Sequence, residues 1–478
     1  MVETPTAGLE ALMDLEAFLA EAADARLSMG EIERAAEAKG RELLRRVLQA
    51  HLDGRGRGEA GEAIVVDDPS GPLRLSYKRS HTRTLLTIFG EVSLTRIGYG
   101  APGHPSIHPL DTELGLPGRM YSYEVCRRLV RASVLGPFDE AIVLLGEMTG
   151  TKIPKRAAEQ IVAEAAADFD SFYAGRAAAK PGRAEVLVGS VDGKGIPMVK
   201  SSPVVKVVRR KKGEKPNKKR MATVGTVHSQ APRPRTPQEV LDSLFATPGQ
   251  ARAHHPRQAR ANRRVWASLE ATKDVFIADV KAEMCRRDPK RRHPWVIVTD
   301  GERALQRRVR SSFEDVTLVL DLFHALEKLW PAAYVFHPEG SPEAEAFVKE
   351  RALRILSGQV SQVVKGLRQM ATKHQLRGEK AKAVRGAADY FYANRAHMAY
   401  DRYLAAGWPI GSGSVEAACK CLVRDRMERS GMRWVPGGAE AMLKLRAVYL
   451  SGDLDEYWRW HIQQDQQRLY GSWRLVAE

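Results

Sequence analysis

Val186-Leu187-Val188-Gly189-Ser190-Val191-Asp192-Gly193 is a short apolar run that stops at an acid and a glycine. A run of this length, without polar alternation, reads as a strand buried on both faces. Trp295-Val296-Ile297-Val298-Thr299-Asp300-Gly301 repeats the pattern. Val316–Leu320 gives a third such strand, which stops at Asp321. Strands of this kind, separated by helical stretches, predict an α/β fold.

The acids at the strand ends suggest chemistry. A strand terminus holds a side chain rigidly at a sheet edge, and the glycine after it lets backbone and ligand approach closely. Hard cations such as Mg²⁺ take carboxylate oxygens together with water and phosphate. Two such ions suit phosphoryl transfer, one activating the attacking oxygen and the other steadying the leaving one. Asp192 and Asp300 supply two carboxylates. Glu416 is the best third, in the first turn of a helix opened by Gly411-Ser412-Gly413-Ser414, where a serine can cap. Lys420 and Arg424 follow it at four-residue spacing and should share its face. His324 lies three residues after Asp321 and offers phosphate binding or proton movement, or simply a cap on the sheet edge. Each Asp-Gly pair is also a common turn.

Working outward, residues 1–72 read as a helical N-terminal region and 73–118 as a β-hairpin and loop. The hairpin spans Thr84–Phe89 and Val92–Ile97, turning at Gly90-Glu91. His81, His104 and His108 are read as exposed loop histidines rather than metal ligands. Residues 119–182 are helical. Phe138–Met148, a turn at Thr149–Thr151, and Pro154–Asp168 form a helix-turn-helix-like pattern, with Lys152, Lys155 and Arg156 at the start of the second helix as candidate DNA contacts. An ordinary helical hairpin has the same signature. The α/β core begins with residues 183–324, holding the basic run Arg209, Arg210, Lys211, Lys212, Lys218, Lys219 and Arg220, which suits a DNA backbone. Thr223–Val227 reads as a strand, 231–262 as an irregular loop, and Val265–Cys285 as a helix. Residues 343–405 are mostly helical, with breaks at Gly358 and Gly378 and an end near Gly407. Residues 411–478 complete the core with C-terminal helices. Trp408, just before the GSGS turn, offers a stacking face for a base; Trp458 and Trp460 read as core.

The chain has 478 residues and a formal net charge of +17, so a polyanion is the first partner to consider. At 44% hydrophobic residues it can bury real cores. Its four cysteines, Cys126, Cys285, Cys419 and Cys421, form no C-x-x-C pair and read as reduced thiols. The opening stretch has no basic segment before an apolar run, and no stretch of 18 apolar residues occurs. The expected setting is cytoplasmic and nucleoid-associated, with no membrane partner.

LLTIFGEVSLTRIGYG, HPLDTELGLPGRMYSYEV, VDGKG, VTDGERALQ, LDLFHALEKLW and GSGSVEAACKCLVRDRMERSGMRW together resemble bacterial insertion-sequence transposases of the DDE class, the ISKra-type group. The resembling stretches are scattered over residues 75–460, and the last is the most specific. The resemblance implies an RNase H-like mixed-sheet core interrupted by a helical insertion over 325–410, with a mainly helical N-terminal DNA-binding region. It implies two Mg²⁺ or Mn²⁺ ions held by Asp192, Asp300 and Glu416, and it makes Asp321-x-x-His324 similar to a signature of relatives with such insertions. The expected partners are double-stranded DNA, as element ends and as target, and further copies of the chain, because two DNA ends must be handled together. The expected reaction is hydrolysis of a phosphodiester at an element end, followed by attack of the freed 3′-OH on target DNA. A transposase-derived regulator without chemistry and an RNase H-like nuclease are the competing readings.

Overall fold

The computed structural model describes residues 6–22, 25–68, 71–199, 219–246 and 260–471. Arg209, Arg210, Lys211, Lys212 and Lys218 lie outside the described residues. The chain divides into two compact units, Met1–Ala174 with Asp453–Glu478, and Gly175–Gly452.

The first unit opens with helices Thr6–Glu21 and Met29–Gly54; Ser28 and Glu31 form a capping box on the second. The region is not helical to residue 72, because β1 (Ile64–Asp68) pairs antiparallel with β2 (Gly71–Leu75). β3 (Tyr77–Thr87) and β4 (Gly90–Ala101) make the expected hairpin, and β5 (His104–Ile107) adds a third strand. Its two-residue turn is Ile88-Phe89, two residues earlier than the sequence suggested. Gly90 begins the return strand with φ +126, a conformation that favours glycine. The three histidines are not simply loose loop residues: His81 Nδ1 and His108 Nε2 meet at 2.9 Å across the sheet, while His104 is exposed.

Helices Tyr123–Leu135, Phe138–Thr149 and Lys155–Ala165 follow, burying Leu129, Val130, Leu145, Ile161 and Val162. Gly150 ends the middle helix in the left-handed region (φ +70), and Pro154 stands as the cap residue of the next rather than inside it. The closing helix Leu454–Tyr470 belongs to this first unit, not to the unit with the large sheet. His461 and Arg468 bind buried Asp168, and Trp458 is buried as expected.

The second unit is mixed α/β around a five-stranded sheet. Its strands are β6 (Val186–Ile196), β7 (Arg220–Gln230), β8 (Ala261–Ser268), β9 (Trp295–Thr299) and β10 (Thr317–Leu320), in the order β10-β9-β6-β7-β8. β6, β7 and β8 run antiparallel to their neighbours in turn, whereas β9 and β10 run parallel to β6. Two sequence assignments fail here. Residues 231–262 are not all irregular: Pro237–Leu244 is a helix with a Thr236–Glu239 capping box. Val265–Cys285 is not one helix. Ala261–Ser268 is a strand, its Arg264 guanidinium lying over the Trp266 ring, and Thr272 caps a separate helix, Lys273–Arg287.

Helices cover both faces of the sheet, which is why β6 and β9 are apolar without alternation. On one face, Val186, Val188, Val296, Val298 and Val319 join a core with Leu322, Leu329, Val348, Leu367 and Phe391. Those residues come from helices Leu322–Ala333, Pro342–Leu356, Val360–Lys373 and Gly378–Asn394. The opposite face receives helix Lys273–Arg287: Phe276 fills the space beside Gly225, and Met284 and Val280 that beside Gly189. Among the described residues no helix is long and apolar enough to cross a membrane.

Candidate metal centre at the strand ends

β6 and β9 pair in parallel from Leu187↔Trp295 to Ser190↔Val298. Carrying that register two residues on brings Asp192 level with Asp300. β6 does not stop at Asp192, as the sequence suggested, but runs to Ile196 along β7. The acid therefore sits where β6 loses its parallel neighbour. The two glycines after the acids differ in purpose. Gly301 has φ +89, and a Cβ there would collide with the Tyr390 hydroxyl and Leu320. Gly193 has no such backbone requirement, only close contact with Met221.

Asp321 follows β10 and is fully buried. It caps helix Leu322–Ala333, accepting the backbone N–H of Phe323 at 2.6 Å and of His324 at 3.2 Å. Its other oxygen accepts the backbone N–H of Ser412. Burial works to raise its pKa, but the His324 side chain and the hydrogen bonds from Ser412 and from the His324 backbone outweigh it and hold the carboxyl below its ordinary value. His324 Nδ1 lies 3.6 Å from Asp321 Oδ1, and no hydrogen-bond partner satisfies that buried nitrogen. The Asp321 carboxylate raises the imidazole pKa to about 9, so it is cationic at neutral pH.

Ser412 also connects the third element. Its hydroxyl donates to Glu416 Oε1 at 2.5 Å within the first turn of helix Gly413–Ala418. Asp321, His324 and Glu416 thus each present a ligand atom within 4.8 Å of the other two, a group that could hold a metal ion. Asp192 and Asp300 stand outside this trio. Asp300 Oδ1 accepts the Glu302 N–H at 3.0 Å, and its carbonyl accepts the Tyr390 hydroxyl at 3.2 Å. Asp192 Oδ1 accepts the Gly193 N–H at 2.6 Å, while Cys419 Sγ lies 3.3 Å from Oδ2 as donor. Burial, then the neighbouring Asp192, push the Cys419 thiol well above its ordinary pKa, so it donates as a neutral thiol. Cys419 is one turn beyond Glu416, and this contact ties Glu416's helix to β6.

A comparison with family models and with curated proteins finds no match for this chain.

Lys420 and Arg424 are exposed, as Glu416 is, but they follow it in a π-helical turn, Cys419–Arg424, rather than in continuous α-helix. Lys152, Lys155 and Arg156 are exposed in the first unit, with Lys155 already paired to Asp139 at 2.7 Å. Lys219 pairs with Glu428, and Arg220 opens β7 exposed. Trp408 stacks on Tyr403 and accepts Arg235 at its carbonyl, so it packs on the core rather than presenting a free face. Sequence reading passed over three residues now seen at the site, namely Ser412 as a bridge, Cys419 against Asp192, and Tyr390 against Asp300. Only the first left a signal, the i,i+4 spacing of Ser412 and Glu416 on a helix start.

Proposed function

We propose that the chain is a DNA transposase of the DDE class, cutting and joining DNA at one end of an RNase H-like sheet. The observation that carries this reading is the trio of Asp321, His324 and Glu416 joined through Ser412, with Asp192 tied to the Glu416 segment through Cys419 and Asp300 level with Asp192 in the extended β6–β9 register. The mixed five-stranded sheet, three strands antiparallel in turn and two more parallel to the first of them, is compatible with the mixed-sheet core that the resemblance implies. The helices between Asp321 and Glu416 correspond to the expected helical insertion.

The donor chemistry fits a hard divalent cation. The ligands are carboxylate oxygens and one imidazole, with no thiolate in the trio. Mg²⁺ or Mn²⁺ bound there would supply positive charge to a phosphate under attack. The trio would hold one ion, and the Asp192–Asp300 pair would help hold a second. The protein's own groups do the rest. Without an ion the Asp321 carboxylate, 3.6 Å from Nδ1, favours the protonated His324 ring; as a ligand the ring would be neutral, so ion binding would release that proton. Lys420 and Arg424 line the approach to Glu416 with positive charge that suits a DNA backbone. DNA ends and target DNA are the proposed partners, with at least two copies of the chain acting together in a nucleoid-associated complex.

Asp192→Asn, Asp300→Asn and Glu416→Gln should each abolish Mg²⁺- or Mn²⁺-dependent cleavage of DNA carrying the element ends, with DNA binding retained. Joined products separate a transposase from a nuclease. A wild-type chain that binds DNA yet never cuts it would favour the regulator reading instead.

A further inference from the structure

Phe323 is the one exposed phenylalanine of the chain's twelve, at 51% of its surface, and it stands inside the candidate centre. Buried Asp321 lies two residues before it and His324 directly after. Its position is fixed from two directions. Its backbone N–H donates to Asp321 Oδ1 at 2.6 Å. Its ring edge lies against Gly411, where an added Cβ would stand 3.7 Å from Cε2 and 3.8 Å from Cδ2. Gly411 directly precedes Ser412, the residue that binds both Asp321 and Glu416. Among the described residues no aromatic ring stacks on Phe323. The half of the ring left open to water, beside acids, gains nothing for folding.

We propose that Phe323 is a stacking surface for a nucleobase, taking an unpaired base of the nucleotide next to the phosphate handled by Asp321, His324 and Glu416. The inference rests on the DNA reading above and adds to it that the strand is splayed at the site. One sugar separates a nucleotide's phosphate from its base, and Phe323 is similarly close in the chain to the groups that would meet the phosphate. Every base has a π-face, so the contact is tolerant of sequence, and a ring of this kind commonly contributes about tenfold in affinity.

The test compares a 12-nucleotide single-stranded DNA with the same backbone made fully abasic, each binding the full chain in Ca²⁺, read by fluorescence anisotropy. The wild type should prefer the base-bearing strand by about tenfold. Phe323→Ala should lose that preference while binding the abasic strand as the wild type does, and Phe323→Trp should keep it. Equal binding of both strands by the wild type overturns the inference. So does a Phe323→Ala variant that keeps the preference, or one that weakens both strands equally. Cleavage of plasmid DNA by the wild type in Mn²⁺ is scored in parallel. Base preference without cleavage sinks the catalytic reading and leaves the stacking surface standing; cleavage without base preference does the reverse.

Discussion

The buried carboxylate of Asp321 accepts the backbone N–H of Ser412, so the end of β10 and the loop carrying Glu416 are held together by one side chain. Asp321 also accepts two N–H groups at the head of its own helix. An asparagine has one acceptor oxygen where aspartate has two. Asp321→Asn therefore leaves a buried N–H facing an amide N–H₂, which costs about 1–3 kcal/mol. Urea unfolding should show an unfolding free energy lower by that amount, read as a lower midpoint with an unchanged slope. An unaltered midpoint would mean that the Ser412 contact contributes nothing.

Mn²⁺ should stabilise the chain against heat. At a hundred times its dissociation constant, a ligand bound only by the folded state adds about 2.7 kcal/mol. His324→Ala and Glu416→Gln should remove most of the rise in Tm if the trio of Asp321, His324 and Glu416 holds the tighter ion. Asp300→Asn should keep most of it. The opposite pattern, loss with Asp300→Asn and retention with His324→Ala, would move the tighter site to the strand-end pair.

The sheet was readable because its central strands are covered on both faces, so Val186–Val191 and Trp295–Thr299 are unbroken apolar runs. β8 was not, because Arg263 and Arg264 interrupt it. Its one large apolar ring, Trp266, packs on Phe276 from a helix the sequence merged with it. The acids at the strand ends followed from the same runs, but their grouping did not. Glu416 meets Asp321 and His324 only because Ser412 folds back onto β10, a contact spanning 91 residues. The assignment of Leu454–Tyr470 to the first unit depends likewise on Asp168, distant in sequence, and no local pattern carries it.

Stability should fall on mild acidification. Burial lowers the pKa of His228 to about 4, and burial with the adjacent Arg310 does the same to His397, whose Nε2 lies 2.6 Å from that guanidinium. A histidine pKa depressed by folding means that the unfolded chain binds the proton more tightly. The stability is therefore intact above the unfolded pKa of about 6.5 and is lost as pH falls toward 4, on the order of 3 kcal/mol for each site. His324 runs the other way: its raised pKa contributes fully below about 6.5, and the contribution disappears as pH rises through about 9. His397→Gln keeps an acceptor for Arg310 without titrating, so it should flatten the loss between pH 6.5 and 4. An unchanged acid profile in that variant would show that His397 is protonated in the folded chain.

Salt dependence separates the basic residues. Removing a cation that binds one phosphate should lower the slope of log K against log salt by about 1. Lys420→Ala and Arg424→Ala should each show that decrease with duplex DNA. Lys155→Ala should show less, because its ammonium already pairs with Asp139 at 2.7 Å. Equal slopes for all three variants and the wild type would remove these residues from the DNA path.

The closing helix offers a test of the first unit alone. Asp168 is buried, and its oxygens meet His461 Nδ1 at 2.7 Å and the Arg468 guanidinium at 2.6 Å. Burial opposes its ionisation, but the hydrogen bonds from His461 and Arg468 prevail and keep its pKa below the ordinary value. Removing Asp168 strands the buried His461 ring nitrogen, at a cost of about 1–3 kcal/mol, while the half-exposed Arg468 can turn to water. Asp168→Ala should therefore loosen Leu454–Tyr470, read as faster amide hydrogen exchange across that helix. Asp168→Asn, which can still accept one hydrogen bond, should show a smaller change. Exchange in β6 and β9, which lie in the other unit, should be unaffected by either. If Asp168→Ala leaves exchange in Leu454–Tyr470 as slow as in the wild type, the helix is held by its other contacts, among them Tyr457 on the Ala165 carbonyl, Tyr123 on Asp465 and Tyr470 on the Leu116 carbonyl, and the Asp168 contacts add nothing to its anchoring.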